Sequence, residues 1–335
     1  MKKINNLVSI IIPIYNGEKY IKRCLDSVAR QTFKDYQIII INDGSTDNSL
    51  ELINKYQSKF SNLLIINKKN EGSWKARIDG IKATRSKYIT FMDVDDEIEP
   101  RFIEELYNTI TENNADISVC GYYRIDSVTN KIYAKEMTGF GNSVIDIQKD
   151  IKKIALINTS NWNKMYKKNL FDKAINYNVA SISFEDLTLN VFAYCKASKI
   201  AFNDSYLYKY YVNSKSLMNS INVEHLEKLK NTFLNLRKEI KNENIHMLPL
   251  IDFMAVMHLG FSINQRIYNS KNENKKVYIK DLCKFVKRKF PLWKKYKTSN
   301  FKLKIMKFVF LLNLVYIFLK CYTFMINKLK IDVKW

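Results

Sequence analysis

Two kinds of apolar pattern alternate over the first 120 residues. Unbroken β-branched and aliphatic runs at 8–15, 38–41, 63–66 and 88–92 predict strands. Between them Ile21, Cys24, Leu25 and Val28, then Trp74, Ile78 and Ile81, recur at the spacing of a helix face. Such alternation predicts an α/β fold with a mostly parallel sheet flanked by helices, and these sheets bind ligands beyond the carboxyl ends of their strands. Polar clusters stand at three of those ends: Tyr15-Asn16-Gly17, Asn42-Asp43-Gly44-Ser45 and Asp93-Val94-Asp95-Asp96. Taken singly each is an ordinary turn, with Ser45 or Asp47 capping the next helix. Taken together they fall on one crevice.

Further along the pattern changes twice. Residues 121 to about 215 are aromatic-rich and mixed, and Ser183-Phe184-Glu185-Asp186 opens a helix with an apolar face of Phe184, Leu187, Val191 and Tyr194. Asp186 stands there at the place of a capping-box carboxylate, which suits the helix dipole without any chemistry. From about 222 onward the periodicity is helical, with helices expected near 222–240, 247–269 and 273–289. His225, His246 and His258 lie in this part without partners at metal-ligand spacing, and are assigned to surface or core. The division expected is 1–215, then a helical extension over 216–300, then a last segment over 301–335.

Composition sharpens that last boundary. The net charge is +22, and residues 271–335 supply +15 of it, eighteen Lys and Arg against Glu273, Asp281 and Asp332. A charge of this kind seeks nucleic acid or an anionic membrane face. The uncharged run 308–319, edged by Lys302, Lys304, Lys307, Lys320, Lys328 and Lys330, argues for the membrane. Twelve helical residues reach about 18 Å, short of the roughly 30 Å hydrocarbon core. The run therefore predicts a helix lying in the interface at the cytoplasmic face of the cell membrane rather than a span. A buried packing helix with a basic edge is the competing account. Five scattered cysteines without Cys-x-x-Cys spacing indicate neither a disulfide framework nor a zinc site.

Within this basic chain the carboxylates at 93–97 are out of character. Carboxylates so close repel one another unless protons or a cation hold them, and Mg²⁺ or Mn²⁺ takes oxygen ligands of this kind. No Gly-x-Gly-x-x-Gly or Gly-x-x-x-x-Gly-Lys-Ser/Thr phosphate cradle exists in the sequence, so a metal would have to neutralise a diphosphate. A solvated turn with one carboxylate capping the helix after Pro100 accounts for the same residues.

The runs Val8-Ser9-Ile10-Ile11-Ile12-Pro13-Ile14-Tyr15-Asn16, Ile40-Ile41-Asn42-Asp43-Gly44-Ser45-Thr46-Asp47 and Phe91-Met92-Asp93-Val94-Asp95-Asp96 resemble the inverting family 2 glycosyltransferases of GT-A fold, in their bacterial surface-polysaccharide form. Asn70-Glu71-Gly72, Ala76-Arg77, Trp162-Asn163-Lys164-Met165-Tyr166 and Glu185-Asp186 extend the resemblance over about 6–215. The resemblance implies single-displacement transfer from a nucleotide-sugar, usually a UDP-sugar, to an acceptor hydroxyl. It implies that Pro13 and Tyr15 line the base pocket, Asp43 bonds the uracil and Arg77 flanks the nucleoside. Asp93 would contact the ribose, Asp95 would bind Mg²⁺ or Mn²⁺, and Asp96 would border the donor sugar. Asp186 takes the place of the catalytic base with Glu185 in support, and Trp162 and Lys164 stand on the acceptor side, the one suited to stack under a sugar ring and the other to meet a phosphate; an anchored loop under the site accounts for both equally well.

Two departures follow. Some relatives complete the metal shell with a His downstream of the base, yet 208–220 contains none. Where the family often has Asn, Asp79 stands, with Lys75 at i,i+4 spacing as its expected partner. The processive string Gln-x-x-Arg-Trp does not occur, which favours one sugar per acceptor visit. The reading is a metal-dependent, hexosyltransferase-type enzyme acting on a lipid-linked glycan in capsule or surface-polysaccharide synthesis, with no nucleic acid as partner. The competing classes are a nucleic-acid binder using the basic half and a non-catalytic nucleotide-sugar-binding subunit of a membrane assembly.

Overall fold

The first apolar run, Val8–Ile14 (β1), is buried along nearly its whole length, the setting that an unalternating strand requires in a sheet covered on both faces. In the computed structural model, which describes residues 7–137, 139–177, 184–212, 223–270 and 273–329, β1 pairs in parallel with Tyr36–Asp43 (β2) on one side and Tyr88–Phe91 (β4) on the other. Leu63–Lys68 (β3) extends the sheet beyond β2. Glu18–Ala29 (α1), Ser49–Lys55 (α2) and Ser73–Ala83 (α3) make the connections. The strand order reverses at β1, the switch point at which a crevice opens. Helix α3 lies so close to β1 that a Cβ on Gly80 would collide with the Ile11 side chain.

Past β4 the sheet is mixed. The order runs β3-β2-β1-β4-β9-β6-β10-β5, with Glu97–Ile98 (β5), Ile117–Asp126 (β6), Lys164–Lys167 (β9) and Lys199–Val212 (β10). Strand β9 is antiparallel to both β4 and β6, β10 is parallel to β6, and β5 is antiparallel to β10. Ile132–Glu136 (β7) and Val144–Asp146 (β8) pair antiparallel with β6 and β10. The parallel pairing expected from the sequence is thus unbroken only from β3 to β4 and returns in the β6–β10 pair. Phe102–Glu112 (α4), Asp172–Asn176 (α6) and Glu185–Lys196 (α7) complete this unit.

The chain forms two compact units. The sheet unit takes Met1–Lys149, Asn158–Ala180 and Glu185–Ser214, and the helical unit takes Asp150–Ile157, Ser181–Phe184 and Lys215–Trp335. The excursion at 150–157 includes Ile151–Ile154 (α5). Ile154 is fully buried, and the Tyr296 hydroxyl donates to the Ile151 carbonyl at 3.2 Å.

The helical unit contains Val223–Glu243 (α8), Leu248–Ala255 (α9), a π-helical stretch Val256–Ile263, Asn264–Asn269 (α10), Lys275–Lys289 (α11), Phe301–Leu311 (α12) and Val315–Leu329 (α13). Ile245–Asn269 is one continuous helix long and apolar enough to cross a membrane, but 67% of its apolar window is buried, as in a core helix. Asp252 on α9 is fully buried and accepts from Arg237 Nε at 2.6 Å and from the Leu292 amide at 2.7 Å.

The apolar run 308–319, expected as one helix, is broken between α12 and α13. Asn313 adopts φ +61°, a left-handed conformation that Asn tolerates better than most residues. The Asn313 amide returns to the Phe310 carbonyl at 3.3 Å and the Leu314 amide to the Val309 carbonyl at 3.0 Å, the double bond of a Schellman stop. Lys287 Nζ donates to the Leu311 carbonyl and to Asn313 Oδ1. Nor does this segment stand apart from 216–300, since the buried Phe310 ring packs on Trp293 at 5.3 Å and on Phe261 at 6.3 Å.

Candidate active site

Four segments of the sheet unit deliver charged side chains to the carboxyl edge of β1, β2 and β4. Helix α3 carries Arg77, which is 4% exposed and donates from Nη2 to Asp93 Oδ1 at 2.7 Å. The same Nη2 lies 3.6 Å from Asp186 Oδ1, and Nη1 lies 3.9 Å from Glu185 Oε1. Burial opposes charge on Arg77, but Asp186, Asp93 and Glu185 outweigh it and hold the guanidinium more firmly protonated than usual. Glu185 accepts from Ser73 Oγ at 2.5 Å, which joins the first turns of α7 and α3. Arg77, Asp93, Glu185 and Asp186, distant in sequence, therefore share one cluster.

Asp186 and Arg77 both carry unsatisfied atoms. Asp186 Oδ1 is buried and finds no hydrogen-bond partner among the described residues, as do Arg77 Nε and Nη1. The Asp186 side chain keeps 26% of its surface open to solvent, so a proton or a ligand can reach it. Burial, resisted by Arg77, pushes Asp186 up to about 7. A carboxyl poised there takes up and gives back a proton near neutrality. The capping partner expected at Ser183 lies outside the described residues.

Asp95 and Asp96 differ sharply although adjacent. Asp96 is fully buried, with Oδ2 accepting from the Tyr208 hydroxyl and Oδ1 from the Tyr211 amide, both at 2.8 Å. The Tyr208 hydroxyl also accepts from the Asp93 amide at 3.2 Å. Asp96 therefore anchors the turn from within, rather than presenting a carboxylate to the crevice as its assigned place beside the donor sugar required. Asp95 is half-buried, and burial followed by the charge of Asp93 pushes it up to about 6. Arg23 holds the same turn, bonding the Asp95 carbonyl and lying with its guanidinium carbon 3.7 Å from the centre of the Tyr211 ring.

The remaining expected residues are placed as follows. Asp43 is 3% exposed and fixes the loop before α3, accepting from the Glu71 amide at 3.0 Å and the Gly72 amide at 2.8 Å. Pro13 is half-buried and Tyr15 is exposed at the end of β1. Beside the Asp43 turn, Gly44, Ser45 and the segment from Asn67 to Asn70 line an open recess of about 580 Å³. Gly44 has φ +73°, and its missing Cβ leaves room for the Asn70 amide.

Trp162 is buried, stacked on Tyr208 at 4.4 Å and on Tyr210 at 5.2 Å. Lys164 is fully buried, with Nζ donating to the Asn158 carbonyl at 3.0 Å, to Asn163 Oδ1 at 2.9 Å and to the Ser160 carbonyl. Burial lowers it to about 7. Its head is thus occupied in tying the 158–163 loop, not held out to an acceptor phosphate. Asp79 pairs with Lys68 at 2.5 Å, not with Lys75, because Lys68 at the end of β3 faces the side of α3.

Comparison with known proteins decides the family. Residues 9–175 match the family model described as Glycosyl transferase family 2. Glycosyltransferase GlyG of Streptococcus pneumoniae is 30% identical over 227 residues, 64% of this chain and 74% of that protein. The chain belongs to glycosyl transferase family 2. This family 2 chain is also 33% identical over 227 residues to Glycosyltransferase GlyA of S. pneumoniae, covering 64% of the chain but only 32% of GlyA. Among solved structures, S. aureus TarS 1–349 in complex with UDP-GlcNAc superposes with a TM-score of 0.69 at 23% identity, over 84% of this chain and 81% of that one. The fold is GT-A.

The family implies a divalent metal, and the donors at the turn fit one. Asp93 and Asp95 are hard oxygen ligands, and the elevated Asp95 is what an anionic pair shows when no cation offsets its repulsion. Two carboxylates on one turn suit Mg²⁺ or Mn²⁺, which is commonly held by one or two carboxylates with substrate phosphates and water completing the shell.

Sequence reasoning missed Tyr208, Tyr211 and Arg23. Nothing local marks the tyrosines, and Arg23 sits one position from Cys24 on a helix read only for its apolar face.

Proposed function

We propose that this family 2 glycosyltransferase moves a single sugar from a UDP-sugar to a hydroxyl of a lipid-linked glycan, with inversion, at the cytoplasmic face of the membrane. The observation that carries the reading is Asp186: a buried, unpartnered carboxyl oxygen held near neutrality beside Arg77 and Asp93. As the acceptor oxygen bonds to the anomeric carbon and the bond to the diphosphate breaks, Asp186 takes the hydroxyl proton. Glu185 and Asp93 keep Arg77 charged and in place, and Arg77 holds Asp186 within reach without protonating it.

Asp43, Pro13 and Tyr15 border the position of the nucleoside, and Asp93 that of the ribose. Asp95 would hold Mg²⁺ or Mn²⁺, which when bound neutralises the charge left on the diphosphate. The uridine donor is supported by TarS, whose complex contains UDP-GlcNAc. The membrane is supported by exposed Phe301, Phe308, Ile317 and Phe324 on helices that also carry lysines. A place in capsule or other surface-polysaccharide synthesis follows from the family resemblance.

The test is a panel of UDP-sugars incubated with extracted membrane lipid, reading UDP release with Mg²⁺, Mn²⁺ or EDTA. One donor should turn over with metal and fall to background with EDTA. Binding of UDP with no turnover of any donor would favour the non-catalytic subunit instead.

A further inference from the structure

The helical unit carries a groove of about 1040 Å³ between α11 and α13. Its apolar lining comes from Ile279 and Cys283 on α11 and from Ile317, Cys321 and Phe324 on α13. Ile317 and Phe324 are 57% and 67% exposed, although the same helices have a buried side available for packing. The apolar surface is therefore not left over from the core.

The rim is cationic. Lys276, Lys280 and Lys284 line it at i, i+4 and i+8, so their ammonium groups rise along one edge in steps of about 6 Å. Lys320 enters from the other wall. From 273 to 329 the only acids are Glu273 and Asp281, neither of which lines the groove. Like charges at i,i+4 repel one another, and a bound anion would relieve that.

Each half of the groove rules out a simple occupant. An inorganic anion would leave the apolar floor wet, and a neutral hydrocarbon would leave the lysines unpaired. An amphiphile with an anionic head and a hydrocarbon chain satisfies both. From Val315 to Phe324 the wall runs about 14 Å along α13, enough to shelter most of an acyl chain.

We propose that this groove binds one anionic phospholipid, its phosphate held by Lys280, Lys284 and Lys320 and one acyl chain lying over Cys321 and Phe324. The proposal rests on the membrane part of the reading above and not on its chemistry. It makes the helical unit a receptor for individual lipid molecules, beyond a surface that adheres to charge.

Cys321 is exposed while Cys24, Cys120 and Cys283 are buried, so its thiol reports occupancy directly. The full-length protein is treated with a water-soluble maleimide, and modification of Cys321 is followed by peptide mass. Dihexanoyl-phosphatidylglycerol below its micellar concentration, at about ten times its half-saturating concentration, should slow the reaction saturably by about tenfold, as mass action requires when the covered thiol does not react. Dihexanoyl-phosphatidylcholine and inorganic phosphate should each leave the rate within about twofold.

Lys280→Glu with Lys284→Glu should remove the protection, and Lys280→Arg with Lys284→Arg should keep it. Lys320→Glu tests the opposite wall should the double reversal fail to fold. Equal protection by phosphatidylcholine, protection by phosphate alone, protection surviving charge reversal, or no protection at all would each overturn the proposal. UDP binding, measured on the same samples, reads the sheet unit, so a failure here is separable from a failure of the enzymatic reading.

Discussion

Around its site the sheet unit buries charges, whereas α11 to α13 of the helical unit display them. Arg77, Asp43, Asp96 and Lys164 are all nearly or fully buried around the carboxyl edge of the sheet. In the helical unit the lysines of α11 to α13 are mostly exposed, and Arg237–Asp252 is the ion pair that reaches a fully buried carboxylate. Burying a charge is costly unless partners meet it. A region that concentrates such charges is shaped for something other than stability. A region that displays them keeps them solvated at no such cost, available to a partner of opposite sign. The proposed chemistry and the proposed adhesion thus draw on parts of the chain that treat their ionised groups differently.

That contrast is most exposed to failure at Asp186. Asp186→Asn should lower the transfer rate by about 10³-fold while UDP affinity and thermal stability stay unchanged, because general-base catalysis contributes roughly 10²–10⁴. The sign with pH follows from the shift. Asp186 is raised to about 7, so it is protonated and inactive as a base at lower pH. A plot of kcat/KM should therefore climb about tenfold per pH unit below that point and level off above it. A flat profile with full activity at pH 5 would remove Asp186 from the role.

Arg77→Met should cost about 3–5 kcal/mol in denaturant unfolding, since it leaves Asp93, Glu185 and Asp186 facing one another uncompensated. Tyr208→Phe should cost about 1–3 kcal/mol, because Asp96 Oδ2 and the Asp93 amide both lose their partner. Transfer should fall with it as the turn that carries Asp95 loosens. At the small end, Lys284→Ala should change stability by less than about 0.5 kcal/mol, as surface substitutions do. A cost there as large as at Arg77 would erase the distinction between the units.

The sequence made the first half of this fold readable for a clear reason. Strands β1 to β4 are apolar runs that end in polar clusters, and a parallel sheet leaves just that signature. The mixed half has no such contrast. Strand β10, Lys-Ile-Ala-Phe-Asn-Asp-Ser-Tyr-Leu-Tyr-Lys-Tyr-Tyr-Val, shifts register between Asn203 and Tyr208, so its inward and outward faces do not alternate simply.

Of the acidic residues, Asp93, Asp186 and Glu185 meet where their order along the chain gave no sign that they would, apart from family likeness. Asp96 shows what likeness leaves out: its neighbours Tyr208 and Tyr211 come from a strand that was not legible. Lys164 was unreadable for a different reason, since lysine is almost never fully buried and no local pattern announces the exception. In the last segment the lysines and apolar run were plain, whereas the stop at Asn313 depended on a backbone conformation that composition does not encode.

The excursion of residues 150–157 into the helical unit has a practical consequence for anyone wishing to study the enzyme in pieces. The polypeptide passes from one unit to the other at 149/150, 157/158, 180/181, 184/185 and 214/215. Stopping the chain after Ser214 would strand Ile154 and Ile157 without the hydrophobic surroundings they now occupy, on the very stretches that lead to the 158–163 loop and to Asp186. Loss of turnover on truncation after Ser214 would therefore not by itself report the loss of a membrane contact.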